Sequence, residues 1–378
     1  MLRLSNVVLF LAIVFVTFSC GKEEVIKKID DTLNTTTYDT IGYNRNSTAQ
    51  AALLSQIEGL IGQMETANTQ GVSNYYSSLL SLYEDGSPKL ATIGTTFFDA
   101  KIKNDVNGWL LESVRASSHT WTPNDSTTNG GVYGAYLFDE NGLDMHELVE
   151  KVMFGSVLYK HATDLLAGQV SDTTVDRVLT IFGGNPTFPN TSNEANTSRP
   201  DLFMAKYAAR RDKNDGNGYY GRLKFNFRKL KAAIKGGSKF DLEKAEAIVQ
   251  IRETWEKAVG ASVVNYCKTV QSKLSNTSLT DADKASALHS LTEAIGFSLG
   301  MKYINPNRKI ITDAQIDELL ALFNYSETVR PTCYRFALRP EQELPKLQQA
   351  IARLKTIYGF TDQEITDFSK NWIVEQGR

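Results

Sequence analysis

A long amphipathic repeat between residues 241 and 274 constrains the fold more than any other feature of this sequence. Its apolar residues recur every three or four positions: Ile248, Ile251, Trp255, Val259, Val263, Cys267, Val270 and Leu274. Residues with this spacing lie on one face of an α-helix. The pattern predicts one long helix with Asp241 as its N-cap, and a helix with such a face must pack against other elements.

Two more segments carry strong helical patterns. Residues 281–301 repeat the spacing, with Thr280 or Asp281 as a start signal and Asn305-Pro306 as a stop. Residues 143–166 are apolar nearly all round, which predicts a central helix. We expect these two helices to pack side by side, as equivalent core helices of two pseudo-repeated halves. Other helices are predicted over about 48–68, 72–84, 97–115, 199–209, 218–235, 312–323, 341–357 and 362–375.

The fold class follows from these patterns together with the composition. Strict period-two alternation is nearly absent, so we expect an all-α, large helical bundle-like domain with no sheet of any size. The 378 residues are 42% hydrophobic and 22% charged with only 3 Cys, which excludes a disordered or disulfide-stapled chain. The formal net charge of −2 supplies no global field for nucleic acid, so no nucleic-acid partner is expected.

The first twenty residues predict export. Arg3 precedes an apolar run that is short for a membrane span and ends at Ser19-Cys20-Gly21, so residues 1–20 are typical of a signal peptide. The junction resembles a bacterial lipobox, although Thr17 stands where a stricter lipobox has Leu. Cys20 is therefore the predicted lipidation site. The alternative is a plain secretory signal in which Cys20 is coincidental.

The next segment indicates a flexible tether and a location in the cell envelope. Residues 21–44 are polar and Thr-rich, which indicates a flexible tether ahead of a helical domain over 45–378. Lys22-Glu23-Glu24 resembles the signal that sends Bacteroidota lipoproteins to the cell surface. We therefore expect an outer-membrane lipoprotein on the cell surface, with display on the periplasmic face as the alternative.

The sharpest chemical hypothesis is a divalent metal site. His146 with Glu150, and His289 with Glu293, each place an imidazole and a carboxylate four positions apart on one helical face. Two such pairs facing each other supply four ligands suited to Zn, Fe or Mn. The alternative is that each pair is a local ion pair or hydrogen bond. Residues 146–150 lack the second His of the His-Glu-x-x-His protease motif.

A basic, aromatic segment between residues 206 and 235 is the second candidate site. It predicts a patch for an anionic ligand, formed by Arg210, Arg211, Arg222, Lys224, Arg228 and Lys229. The alternative is a solvated helix face with its aromatic residues in the core. The loop Asp212–Gly218 resembles a calcium loop out of register and is interpreted as a turn. Cys267 and Cys333 either form a disulfide or remain free buried thiols.

A family resemblance spans most of the mature chain. It is carried by His289 to Phe297, Lys302-Tyr303, Asn305-Pro306, Glu147 to Gly155, and Tyr38 to Leu54. These segments resemble a Bacteroidota lipoprotein family, domain of unknown function 4856, which is similar to the imelysin proteins. The resemblance implies an all-α fold of two bundle-like halves and a setting beside outer-membrane uptake systems for iron or haem.

The chain departs from this family at two places that bear on catalysis. Where the family has His-His-Trp-Asp-Glu, this chain reads Thr173-Thr174-Val175-Asp176-Arg177, so only Asp176 remains. The Gly-x-His-x-x-Glu motif of the imelysins is not matched either, because His146 and Glu150 are spaced one residue wider. The comparison therefore argues against peptidase activity.

These observations lead to one expected function and two alternatives. We expect an outer-membrane lipoprotein that binds a ligand or partner as an accessory to nutrient, iron or haem uptake. Its partners would be the lipid anchor and an outer-membrane transporter or envelope complex. The alternatives are a metal-dependent hydrolase of the imelysin type and a structural component of an envelope complex. The sequence favours a binding protein over an enzyme.

Overall fold

The computed structural model describes residues 32–191, 197, 200–276 and 278–378. The predicted signal peptide, Cys20 and Lys22-Glu23-Glu24 lie outside these residues. The described residues form a helical domain with two short strands, which confirms the all-α prediction. Within those ranges no helix combines the length and apolar character needed to cross a membrane.

The helices of the first half of the chain lead up to a small hairpin and then to the central segment. They are α1 (Tyr43–Asn46), α2 (Thr48–Glu65), α3 (Tyr76–Glu84), α4 (Leu90–Ile93), α5 (Thr96–Lys103), α6 (Trp109–Ala116), α7 (Met145–Met153), α8 (Lys160–Ala167) and α9 (Asp172–Phe182). Strands β1 (Gly131–Tyr133) and β2 (Tyr136–Phe138) pair antiparallel within the long loop between α6 and α7.

The second half contains the longest helices. They are α10 (Phe203–Arg211), α11 (Tyr219–Gly236), α12 (Asp241–Leu274), α13 (Asp281–Gly300), α14 (Asp313–Leu322), α15 (Arg335–Leu338), α16 (Pro340–Tyr358), α17 (Asp362–Asp367) and α18 (Trp372–Gln376). Short 3-10 turns lie at Thr66–Asn68, Ser238–Phe240 and Pro306–Arg308.

Helix α12 is the axis of this half, as its apolar repeat predicts. Its 34 residues give a length of about 51 Å. It packs against α10, α11, α13 and α16 and buries Ile251, Trp255 and Cys267 completely or almost completely. The helix begins at Asp241 itself, so Asp241 is the first helical residue and not the N-cap. Helix α13 begins after Thr280, which closes a capping box with Asp283, as its start signal predicts.

Helices α7 and α8 are joined by a π-helical segment, Phe154–Tyr159, into one continuous element that runs through the protein centre. Helix α7 packs side by side with α13, as predicted. The contact depends on glycines: a Cβ added to Gly155 would lie 2.2 Å from the carbonyl oxygen of Gly300, and one on Gly296 would lie 2.7 Å from Cβ of Lys151. This close approach brings the polar residues of α7 and α13 together.

The structure differs from the predicted elements in several places. The helix predicted over 97–115 is two helices, α5 and α6, with residues 104–108 between them. Helix α9 was not predicted, because its sequence is rich in Thr and Val, which have low helix propensity. A capping box between Ser171 and Thr174 and burial of its apolar face stabilise it instead. The loop before α7 forms the β1–β2 hairpin, and the predicted helix over 362–375 is two short helices, α17 and α18. The two pseudo-repeated halves stay a prediction.

Residues 33–44, which the sequence assigns to the tether, include packed positions. Leu33 and Tyr38 are 1% and 6% exposed. Tyr38 donates a hydrogen bond to Asp176 on α9, and Leu33 packs against Ala233 and Phe240. The described end of this segment is therefore attached to α9 and to the end of α11.

Candidate functional site

Six ionisable residues meet where α7 lies against α13, and we call them the central cluster. They are Asp144, His146, Glu147, Lys151, His289 and Glu293. Asp144 is the N-cap of α7, and the next three follow on its first two turns. His289 and Glu293 are four positions apart, one turn along α13. Because α7 is buried nearly all round, its charged side chains must share a polar site inside the protein.

Asp144 lies between the two imidazoles. Its Oδ1 is 2.8 Å from Nδ1 of His146, and its Oδ2 accepts a hydrogen bond from Nδ1 of His289 at 2.9 Å. The side chain of Asp144 is 0% exposed, and its backbone N–H donates to Oγ1 of Thr292 on α13. The Asp144 carboxylate therefore hydrogen-bonds the His289 ring and forms an ion pair with the His146 ring, and the Nε2 atom of each ring is directed away from it.

Both Nε2 atoms face the same carboxylate. Oε1 of Glu147 is 3.3 Å from Nε2 of His146 and 3.9 Å from Nε2 of His289. Oε2 of Glu293 is 3.7 Å from Nε2 of His289. The ring of Tyr136, on β2, stacks on His289 with 4.2 Å between the ring centroids. The hairpin thus covers one face of the site.

The remaining carboxylate oxygens are held by other partners. Lys151 forms ion pairs with Glu147 and Glu150, and its Nζ is 3.6 Å from Oε1 of Glu293. Tyr266 on α12 donates a hydrogen bond to the same Oε1 at 2.6 Å. Each of Glu147 and Glu293 therefore has one oxygen held by neighbouring donors and one that faces His289.

The electrostatics of the cluster follow from burial and mutual pairing. Burial raises the pKa of Asp144, but the two imidazoles outweigh this and lower it below its usual value. Burial opposes charge on His146, yet Asp144 and Glu147 raise its pKa to about 11. Burial, reinforced by Glu147, raises the pKa of Glu293 to about 7. Perturbed groups gathered at one place are typical of functional sites.

Three of the four predicted metal ligands converge here, and the fourth is replaced. His146, His289 and Glu293 belong to the central cluster, whereas Glu150 turns toward Lys151 and the protein exterior. Glu147, one residue after His146, takes its place. The spacing of His146 and Glu150 did not reveal this because an apolar helix gives no indication of which face meets α13.

The ligand geometry suits a metal ion. Glu147, His289 and Glu293 each offer one ligand atom, and these atoms lie within 4.8 Å of one another. Metal–nitrogen and metal–oxygen bonds of about 2.0–2.2 Å place neighbouring ligands about 3–4 Å apart, so only a small contraction is needed. Nε2 of His146 lies beside the same Glu147 oxygen. Asp144 acts like the carboxylates that hold the second nitrogen of metal-binding histidines.

Sequence reasoning missed Asp144, Glu147 and Lys151. Glu147 and Lys151 form a charged pair four positions apart on a helix, and that spacing was the available signal. Asp144 carried the weaker signal of an N-cap residue before an apolar run. Its role depends on α13, which is 145 residues away in sequence at His289.

The predicted anionic patch is dispersed over several faces. Arg211 and Lys229 are buried, where Arg211 donates to the carbonyl of Phe368 and Lys229 pairs with Glu246. Arg228 donates to the carbonyl of Thr36, at a different face from Arg222. The six residues therefore do not form one surface. Of the alternatives for the cysteines, the structure has Cys267 and Cys333 as free buried thiols.

One protein-family model matches part of the chain. Residues 187–330 match the family described as Domain of unknown function (DUF4856), which confirms its recognition from the sequence. This segment contains His289 and Glu293, while the residues of α7 in the central cluster precede it. No curated protein and no solved structure matches the chain.

Proposed function

We propose that this chain is a lipid-anchored envelope protein whose helical domain binds a divalent transition-metal ion at the central cluster, as an accessory to nutrient or iron uptake. One observation carries the metal proposal. The buried carboxylate of Asp144 hydrogen-bonds Nδ1 of His289 and forms an ion pair with Nδ1 of His146, and both Nε2 atoms face Glu147. Histidines in metal sites have this arrangement. A carboxylate bonded to one ring nitrogen fixes the orientation of the ring and leaves the other nitrogen to bind the ion.

The charges of the cluster also favour a cation. Asp144, Glu147 and Glu293 are acidic, and Glu150 adds a fourth carboxylate at Lys151. Lys151 is the one lysine in contact with them among the residues that the structure describes. Buried carboxylates need compensating positive charge, which protons on the imidazoles supply in the absence of a metal. A divalent ion would replace those protons with a fixed charge at the same place.

The ligand set favours binding over hydrolysis. Catalytic zinc sites usually keep three protein ligands and leave one position for water or substrate. Here Glu147, His289 and Glu293 offer ligand atoms within 4.8 Å of one another, and Nε2 of His146 lies 3.3 Å from Oε1 of Glu147. The exposed side-chain fractions of these three and of His146 are 12%, 19%, 8% and 8%. A closed site of this kind suits an ion that is held or transferred, and we therefore place the metal-dependent hydrolase second.

The metal proposal is tested by titrating the purified chain with Zn²⁺ and, under anaerobic conditions, with Fe²⁺. We expect one equivalent of at least one of these ions to bind, and His289→Ala to weaken binding by at least about 100-fold. The matched control is His119→Ala, which removes an exposed imidazole outside the cluster. Equal affinity in the wild type and His289→Ala would contradict the proposal, as would the absence of binding by both ions.

The anchor proposal rests on Cys20 at the end of the signal peptide. Cys20→Ala should give unlipidated protein that no longer fractionates with membranes. Membrane retention equal to that of the wild type would show that another segment anchors the chain.

Display on the cell surface rests on Lys22-Glu23-Glu24. Protease added to intact cells should degrade the domain, and Ala at all three positions should protect it. If intact cells shield a wild-type domain that the same protease cleaves in lysate, the domain faces the periplasm.

The accessory role rests on the family resemblance together with the metal proposal. Deleting the chain should slow growth under limitation for the bound metal, and the wild type should restore growth while His289→Ala should not. Restoration of growth by His289→Ala would show that any role in uptake does not depend on the central cluster.

A further inference from the structure

A second site lies away from the central cluster, in a pocket of 370 Å³ between the start of α11 and α17. Its lining includes Arg211, Lys213, Tyr219, Arg222, Asp367 and Phe368. The volume is within the usual range for sites that bind small molecules. The pocket combines two aromatic rings with several charged side chains, so its charge balance determines what can bind.

Arg211 is a buried cation without a carboxylate partner. It is 8% exposed, and Nη1 donates to the carbonyl oxygen of Phe368 at 2.8 Å. Its Nε has no hydrogen-bond partner, and in the described part of the chain no carboxylate lies within ion-pair distance of its guanidinium. Burial lowers its pKa only to about 10, so it is charged at neutral pH. Buried charges are normally paired, which points to an anion from outside the chain.

The pocket lining also includes three acidic side chains, Asp215, Glu364 and Asp367, and each has a partner within the chain. Asp215 accepts a hydrogen bond from the backbone N–H of Asn217 at 2.9 Å. Asp367 pairs with Lys213 at 2.7 Å. Glu364 accepts hydrogen bonds from the backbone N–H of Thr361 at 2.8 Å and from the hydroxyl of Tyr219 at 3.0 Å. Lys213 is therefore neutralised, whereas Arg211 is not.

Arg222 adds a second guanidinium at the rim. It is exposed, lies 5.5 Å from the centre of the Tyr219 ring, and forms no ion pair within the ranges that the structure describes. Stacking on Tyr219 holds its planar group beside the pocket, where it can approach a ligand held by Arg211. The pocket thus presents two cations that lack a carboxylate contact.

We propose that this pocket binds a small organic carboxylate that carries hydroxyl groups on an apolar ring, of the chemical class of the hexuronates. A guanidinium recognises a planar carboxylate through paired hydrogen bonds, which matches Arg211 and Arg222. The rings of Tyr219 and Phe368 offer apolar faces for the carbon frame of the ligand. The side chains of Asn217 and Gln363 line the same pocket and can bond hydroxyl groups.

The proposal is tested by calorimetric titration of the purified chain with glucuronate, with glucose and inorganic phosphate as comparison ligands. Glucuronate should bind saturably, with a Kd below about 10 mM. Glucose lacks the carboxylate and should bind at least about tenfold more weakly, and phosphate lacks the ring and should do the same. No saturable binding of glucuronate, or equal binding of glucose or phosphate, would overturn the assignment.

Two variants of α11 locate the site. Arg222→Gln should weaken glucuronate binding about fivefold or more, because Arg222 is at the rim and its loss leaves the core intact. Lys224→Gln makes the same charge change two residues along the helix, outside the pocket lining, and should leave the affinity within about twofold. Equal losses in the two variants would mean that general charge, and not this pocket, attracts the anion. Arg222→Gln should retain metal binding, which keeps this test separate from that of the central cluster.

Discussion

Two buried charged networks in this protein differ in how their charges are balanced. The central cluster is one. The other, which we call the Lys231 network, consists of Tyr38, Asn46, Asp176 and Lys231. Lys231 pairs with Asp176, and the carboxylate also accepts hydrogen bonds from Tyr38 at 2.6 Å and from Asn46 at 2.8 Å. Asp176 and Lys231 have exposed side-chain fractions of 0% and 2%.

The comparison shows that burial of charge alone does not identify a functional site. In the Lys231 network Lys231 pairs with the buried Asp176 and with Asp172, whose side chain is 34% exposed, and neutral donors bond both oxygens of Asp176. It attaches the N-terminal segment to α9 and α11, so we interpret Asp176 as structural. In the central cluster three buried carboxylates share one lysine, and two Nε2 atoms face a carboxylate. The unbalanced network is the one that an external cation can complete.

The largest effect on stability is expected in the Lys231 network. Lys231→Met should lower the free energy of unfolding by about 3–5 kcal/mol, because it leaves the Asp176 charge buried and uncompensated. Chemical denaturation measures this change. The double variant Lys231→Met with Asp176→Asn removes both charges and should recover most of the loss. A single variant as stable as the wild type would show that the pair is not what stabilises this region.

The next effect concerns metal affinity in the central cluster. Asp144→Asn should weaken metal binding by about 10–100-fold, because the amide no longer orients both imidazoles as a carboxylate does. The matched control is Asp201→Asn, which makes the same change at another fully buried acid that accepts from Tyr220. Titration of both variants with the ion that the wild type binds measures the difference. Similar losses in the two would mean that removal of any buried carboxylate weakens binding and that Asp144 has no specific role in holding the imidazoles.

The close contact between α7 and α13 brings the residues of the central cluster together. A substitution at Gly296 tests the importance of this contact. Gly296→Ala should lower the free energy of unfolding by about 1–3 kcal/mol, since the added Cβ would lie 2.7 Å from Cβ of Lys151. Gly62→Ala on α2 is the control, because its added Cβ meets no atom within 4 Å. This control should be neutral or stabilising by up to about 1 kcal/mol. Thermal unfolding of the two variants gives the comparison.

The smallest effect concerns a buried carboxylate outside both networks. Glu256 on α12 accepts hydrogen bonds from the backbone N–H groups of Ile310 and Ile311, and burial raises its pKa to about 7. Its folded pKa therefore exceeds its unfolded value of about 4.3. The folded state keeps the proton on Glu256 up to a higher pH than the unfolded state does. This group therefore lowers the free energy of unfolding as pH rises from about 4 to 7.

Glu256→Gln tests this pH dependence. Between pH 5 and pH 6, the free energy of unfolding of the variant should improve relative to the wild type by about 1 kcal/mol. Denaturation of both proteins at the two pH values measures it. A constant difference would mean that Glu256 is ionised throughout, as a carboxylate paired with a cation would be.

Local pattern accounts for the parts of the fold that could be predicted. The spacing of apolar residues predicted α12, α13 and the continuous α7–α8 element, because the face of a long amphipathic helix is defined by its own sequence. Start signals such as Thr280 act within one turn and are equally local. Helix α9 was not predicted in this way, since its Thr- and Val-rich sequence has low helix propensity and depends on burial in the fold besides its capping box.

The sequence by itself determined the helical class and marked His146, His289 and Glu293 as a set with ligand chemistry. The tertiary structure alone decided that Glu147 and not Glu150 meets them, that Asp144 holds both imidazoles, and that Arg211 is buried without a carboxylate. The physical reason is that these contacts join residues far apart in sequence. They depend on how closely α7 and α13 approach and on how α10, α11 and α17 surround a pocket, and no local period encodes those distances.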